Sequence, residues 1–109
     1  MRQLTEEIIQ FRDARNWRQF HNPKDLAISL TLEAGELLEN FQWKGSEDAV
    51  AQGRENIQDE LADVLIYALI LAHELDIDVD EAVRAKLVKN DEKYPVEKSY
   101  GSATKYTRL

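Results

Sequence analysis

Residues 54–75 read Arg54-Glu55-Asn56-Ile57-Gln58-Asp59-Glu60-Leu61-Ala62-Asp63-Val64-Leu65-Ile66-Tyr67-Ala68-Leu69-Ile70-Leu71-Ala72-His73-Glu74-Leu75, and this stretch decides the fold. Its apolar residues recur at three- and four-residue steps, the period of an α-helix. From Leu61 to Leu71 it is apolar or small on nearly every side, apart from Asp63 and the hydroxyl of Tyr67. A helix that is apolar all round is buried all round, so this one is predicted at the centre of a helical bundle. At about 100° per residue, Asn56, Glu60, Asp63 and Tyr67 form one polar stripe through that surface.

Three more helices are read beside it, too few to surround it within one chain, so another copy of the chain is expected to cover its remaining face. The first covers about Leu4 to Arg15, with Leu4, Ile8 and Phe11 on one face. Asn16 to Asn22 is a connection carrying Trp17, Phe20 and His21. Asn22-Pro23 joins an N-cap residue to a proline at the first helical position, so a second helix is predicted from there to about Trp43. Lys44-Gly45-Ser46 breaks it, and Ser46 is read as the cap of a short turn near Gly53. After the third helix, Asp78-Val79-Asp80-Glu81 fits a capping box. The fourth helix is then predicted to run to about Lys93, before Pro95, with residues 96–109 an extended tail. Two prolines and four glycines in 109 residues leave few turns. The reading is an all-α four-helix bundle, a single domain over residues 1–109.

Composition excludes several function classes. With no cysteine, a disulfide scaffold, a thiol nucleophile and a cysteine zinc site are all ruled out. The N-terminus lacks the apolar core of a signal peptide, and no stretch approaches the roughly 20 apolar residues of a membrane span. A cytoplasmic protein with no membrane partner is the expectation. Net charge is −7, unevenly spread: residues 1–83 hold 7 basic and 18 acidic side chains, residues 84–109 hold 7 and 3. An acidic body argues against nucleic acid as a partner, since affinity for it comes from basic contacts to phosphate. The basic end suits a small polyanion that the acidic body meets only through metal ions.

Glu33 and Glu36 are three apart on the second helix; Glu60 and Asp63 are three apart on the third. Each pair projects to one side of its helix. Glu33 lies beside Leu26 and Leu37 on the apolar face, and Glu36 falls between that face and Leu32. Two readings stand. A lone ExxE pair is ordinarily a solvated helix face. Two acid pairs embedded in apolar helices that face one another instead converge in a partly desolvated space, where like charge and burial both oppose ionisation. Hard divalent cations resolve that conflict, and Mg²⁺, with Mn²⁺ as a substitute, keeps positions open for phosphates and water.

The run Glu33-Ala34-Gly35-Glu36, followed by Glu60-Leu61-Ala62-Asp63, resembles the ExxE…ExxD motif of the MazG-like, all-α nucleoside triphosphate pyrophosphohydrolases. Trp17-Arg18-Gln19-Phe20-His21, Phe41-Gln42-Trp43-Lys44, Asp63-Val64-Leu65-Ile66-Tyr67, Lys93-Tyr94-Pro95 and Lys105-Tyr106-Thr107 are similar to the dCTP pyrophosphatase branch. The resemblance covers nearly the whole chain. It implies a homo-oligomer, a dimer at minimum and a dimer of dimers by analogy. It further implies Mg²⁺ dependence and cleavage between the α and β phosphates of a nucleoside triphosphate, dNTPs such as dCTP foremost, in nucleotide-pool house-cleaning. The metal ligands would be Glu33, Glu36, Glu60 and Asp63.

The same resemblance gives roles to residues that otherwise read as structural. Trp17 and Trp43, plain core tryptophans on residue type alone, become base-stacking groups. His21 becomes a substrate contact and Tyr67, one turn beyond Asp63, a contact to the sugar. Lys86, Asn90 and Tyr94 recur at four-residue intervals on the fourth helix, which fits either a solvated face or a phosphate and sugar clamp. Where some relatives carry histidine in the first helix, this chain has Ile8. Glu39 and Asp59 are read as surface acids and His73 as structural. The chain has no P-loop, no activated Ser or Cys nucleophile and no Gly-rich dinucleotide loop, which leaves metal-assisted attack by water, with Glu36 the candidate to take its proton. The competing expectation is a non-catalytic helical oligomerisation or regulatory module.

Overall fold

A computed structural model describes residues 1–109 as helical with no strand. The chain divides into two compact units, Met1–Ile77 and Asp78–Leu109. The first contains α1 (Arg2–Ala14), a 3₁₀ turn (Arg18–Phe20), α2 (Pro23–Glu39) and α3 (Ser46–Glu74). The second contains α4 (Val79–Lys93), α5 (Val96–Ser99) and a 3₁₀ turn (Tyr106–Arg108). Residues 96–109, read as an extended tail, therefore hold two short helical turns.

Local chemistry explains most helix ends. The Asn22 side chain accepts from the Asp25 backbone N–H at 2.9 Å, with Pro23 as the first helical residue of α2. Asp78 does the same for the Glu81 N–H at 3.0 Å and starts α4. Two ends differ from the reading. Helix α2 stops at Glu39, not Trp43, because the Asn40 side-chain amide donates to the Glu36 and Leu37 carbonyls at 3.4 and 3.2 Å. The chain then turns until Trp43, whose φ of 63° is left-handed. Helix α3 starts at Ser46, capped by Gly45 and not by the serine side chain, and it continues through a kink at Gly53, where φ is −134° and ψ 25°. The short turn and the long helix predicted on either side of Gly53 are thus one element with a bend.

Helix α2 packs on α3 more extensively than any other pair, and α1 also packs on α3. The α2–α3 pair is antiparallel, since Asn40 meets Asn56 at 2.7 Å while Glu33 and Glu36, earlier in α2, approach Glu60, later in α3. Leu26 of α2 and Ala49, Leu69, Ile70 and Ala72 of α3 form the buried apolar core. Leu61 and Leu65 are 48% and 46% exposed in the single chain, on the helix whose remaining face is expected to need cover from a second copy. No helix is long and apolar enough to cross a membrane.

Candidate metal and substrate site

The antiparallel α2–α3 pair brings three carboxylates together. One oxygen from each of Glu33, Glu36 and Glu60 lies within 4.8 Å of the others. Asp63 stands outside that triad, though its charge acts on Glu33, Glu60 and Tyr67. Glu33 Oε2 and Glu60 Oε2 are shut off from solvent with no hydrogen-bond partner, whereas Glu36 is exposed.

These surroundings change how the acids ionise. Burial, then Glu36 as hydrogen-bonding neighbour and as a like charge, then Asp63 and Glu60, push the Glu33 carboxyl up to about 7. Glu60 is raised too, by burial first, then by Glu36, Asp63 and Glu39. Glu39 is exposed, as a surface acid should be, yet its charge reaches the cluster. Orphaned oxygens on converging acids are the donor set that a hard divalent cation satisfies: it supplies the missing partner and cancels the repulsion. The residues present fit such an ion.

The polar stripe of α3 continues past the acids. Tyr67 is partly buried, and burial with the charges of Glu33, Asp63 and Glu36 raises its hydroxyl above the usual tyrosine range. The His21 ring meets the Tyr67 ring edge-on, with centroids 6.3 Å apart. Burial and the Arg12 charge hold His21 below the ordinary histidine value against a smaller opposing pull from Glu74. Its Nδ1 is buried with no partner. Trp17 packs edge-on against Phe11 at 5.8 Å, with the Arg15 guanidinium 3.6 Å from the Phe11 centroid. Trp43 is 93% exposed, so it packs in no core of the single chain.

Lys86, Asn90 and Tyr94 belong to the second unit. Lys86 is exposed, Asn90 is partly buried, and Tyr94 ends α4 with its ring edge-on to Tyr106 at 5.8 Å. The Lys93 ammonium lies 4.9 Å from the centre of the Tyr106 ring. His73 is exposed.

Sequence reasoning missed Arg12. It is 2% exposed and reaches Glu74 at the far end of α3. Two signals were available. Arg12 lies one turn after Ile8 on the apolar face of α1, and Glu74 extends the stripe Asn56, Glu60, Asp63, Tyr67 by two further turns.

A model of the MazG-like family matches residues 28–109. The dCTP pyrophosphatase 1 of Bos taurus is 44% identical over 105 residues and that of Homo sapiens 41%, each match covering 92% of this chain and 62% of the relative. The chain thus spans less than two thirds of the length of these curated relatives. A solved pyrophosphatase structure from Archaeoglobus fulgidus matches with a TM-score of 0.82 and 42% identity, over 87% of this chain and 92% of that one. Shared sequence, shared fold and a family model spanning most of its length agree: the chain belongs to the MazG-like family.

Proposed function

We propose that this chain hydrolyses nucleoside triphosphates to the monophosphate and pyrophosphate, with pyrimidine dNTPs such as dCTP preferred, in control of the nucleotide pool. The observation that carries this reading is the convergence of Glu33, Glu36 and Glu60, two of them with buried, unpartnered oxygens, in a chain similar in sequence to relatives named as dCTP pyrophosphatases. Glu33, Glu36 and Glu60 would hold Mg²⁺, or Mn²⁺ in its place, with Asp63 as a fourth acid. The cation supplies Lewis acidity toward the triphosphate and lowers the pKa of a bound water.

The protein's own groups do the rest. Glu36, exposed and with a carboxylate oxygen within 4.8 Å of one on each of Glu33 and Glu60, takes the proton from the attacking water. Trp17 and Trp43 offer faces for base stacking. The His21 ring presents an unpaired Nδ1 for a polar contact to the nucleotide, and Tyr67 borders the sugar. Lys86, Asn90 and Tyr94, on α4 of the second unit, are proposed contacts to phosphate and sugar. The active species is a homo-oligomer, and nucleic acid and membrane are not partners.

The test is a panel of NTPs and dNTPs with Mg²⁺, separating pyrophosphate from phosphate release. Pyrophosphate from dCTP, with loss of turnover in Glu36→Gln, is the expected result. Hydrolysis run in ¹⁸O-labelled water should place the label in the monophosphate, because water attacks the α-phosphorus. Label in the pyrophosphate would mean attack at the β-phosphorus. No hydrolysis of any triphosphate, with full tolerance of alanine at Glu33 and Glu60, would favour the non-catalytic module.

A further inference from the structure

A buried arginine needs a reason. Arginine is almost never fully buried unless paired, and Arg12 with Leu26 is the largest fully buried side chain of the chain. Its Nη1 donates to Glu74 Oε1 and its Nε to Asp13 Oδ1 at 3.0 Å. If the only task were to hold α1 against α3, two apolar side chains would do so at equal or lower cost, since desolvating an ion pair commonly offsets its attraction.

The backbone of the same residue indicates another task. The Arg12 carbonyl accepts from the Arg15 N–H at 3.1 Å and from the Trp17 N–H at 3.2 Å. From there the connection is hydrogen-bonded step by step. Asn16 N–H donates to Asp13 O at 3.0 Å, Phe20 N–H to Trp17 O at 2.9 Å and His21 N–H to Arg18 O at 3.0 Å. Asn16 takes a left-handed φ of 56° to allow this path. The segment that carries Trp17 and His21 therefore hangs from Arg12 at one end. At the other end the His21 ring rests on Tyr67. Glu74 and Tyr67 are seven residues apart, which places them on one face of α3, so both anchor points lie on the same rail.

We propose that the Arg12–Glu74 ion pair is a positioning device, setting Trp17 and His21 in register with the Tyr67 face of α3 so that the nucleotide's base and sugar are held. The inference rests on the nucleotide-binding reading of Trp17 and His21. Glu74 is 14 residues beyond Glu60, about 21 Å along the helix, so its replacement leaves the carboxylate triad untouched. The pair thus acts on substrate binding and not on the acids.

The test uses the full chain with Glu74→Gln, Arg12→Lys and the apolar double variant Arg12→Met/Glu74→Leu. Michaelis constants for dCTP should rise at least about ten-fold while kcat stays within about two-fold, the pattern of lost uniform binding, and the Mg²⁺ half-saturation should not move. Independently of activity, Trp17 emission, read in a Trp43→Phe background without substrate, should shift to the red and become more open to acrylamide quenching. The double variant should melt at or above the wild-type temperature yet keep the raised KM. Wild-type KM and Trp17 emission in folded Glu74→Gln, or recovery of both in the apolar double variant, would reduce the pair to a strut and overturn the proposal. If the wild type hydrolyses no triphosphate, the nucleotide reading fails, and the Trp17 measurement alone decides whether the ion pair sets that segment.

Discussion

At the scale of the residue, the acids were legible and their consequences can be measured. Glu33 stood out because it shares an apolar helix face with Leu26 and Leu37, where an unpaired carboxylate is costly. Its carboxyl, held at about 7 against an ordinary 4.5, binds its proton more tightly folded than unfolded. Its contribution to stability is therefore full below about pH 4.5 and is lost as pH rises through about 7. In EDTA, the melting temperature should fall between pH 5.5 and pH 8, and Glu33→Gln should flatten that fall. Millimolar Mg²⁺ should reverse it at pH 8, since ligand at about 100 times its Kd adds about 2.7 kcal/mol. Identical melting with EDTA and Mg²⁺ would remove the cation from this site. Trp43 gives a second residue-scale prediction. Its ring is 93% exposed and its φ is 63°, so glycine should fit that backbone better. Trp43→Gly should leave stability within about 1 kcal/mol of wild type. Substrate binding should weaken by about 1–3 kcal/mol if the ring stacks on a base. A stable variant with unchanged KM would exclude Trp43 from the substrate site. Arg12 was missed although it lies on the apolar face of α1, because only the fold places its partner, 62 positions away, beside it.

At the scale of the element, the readable ends were those that adjacent residues encode. Asn22-Pro23 and Asp78 through Glu81 encode their caps in adjacent residues, and the observed caps use those side chains. The stop of α2 has no such local signature. Neither glycine nor proline falls there; Asn40 turns its amide back on the Glu36 and Leu37 carbonyls and also accepts from Asn56 across the helix pair. That last bond is tertiary, so no reading of α2 alone could include it. The Gly53 kink was half legible: glycine predicted a break, but the helix resumes at once because α3 packs against α2. These caps lead to a prediction about α2 itself. Asn22→Ala removes the bond to the Asp25 N–H and should cost about 1 kcal/mol, measured by urea denaturation at unchanged m-value. A loss below a few tenths would mean that packing of Leu26, not the cap, fixes where α2 begins.

At the scale of the whole molecule, the question is what covers the apolar surface that one chain leaves bare. Leu61 and Leu65 are one turn apart on α3, and Ile28 and Leu32 one turn apart on α2; they are 48%, 46%, 47% and 64% exposed. Adjacent exposed apolar side chains of this kind mark interaction surfaces. The buried apolar core of the single chain is short: Leu26, Ala49, Leu69, Ile70 and Ala72. Small domains of this size gain disproportionately from burying more. A second copy is the simplest cover, because a two-fold interface uses the same patch on both subunits. Sedimentation at micromolar concentration should find wild-type protein well above the 12.6 kDa of one chain. Leu61→Glu/Leu65→Glu places two charges on that face and should shift the protein toward 12.6 kDa, with dCTP turnover lost in proportion. The charges lie on the α3 helix that carries Glu60, so Mg²⁺ binding followed by melting is needed beside the activity assay. If the variant still binds Mg²⁺ as a monomer but turns over no nucleotide, the acids are competent within one chain and a second copy completes the substrate site. A wild-type monomer that hydrolyses dCTP at full rate would leave Leu61 and Leu65 facing water with no partner, and the assembly argument would fail.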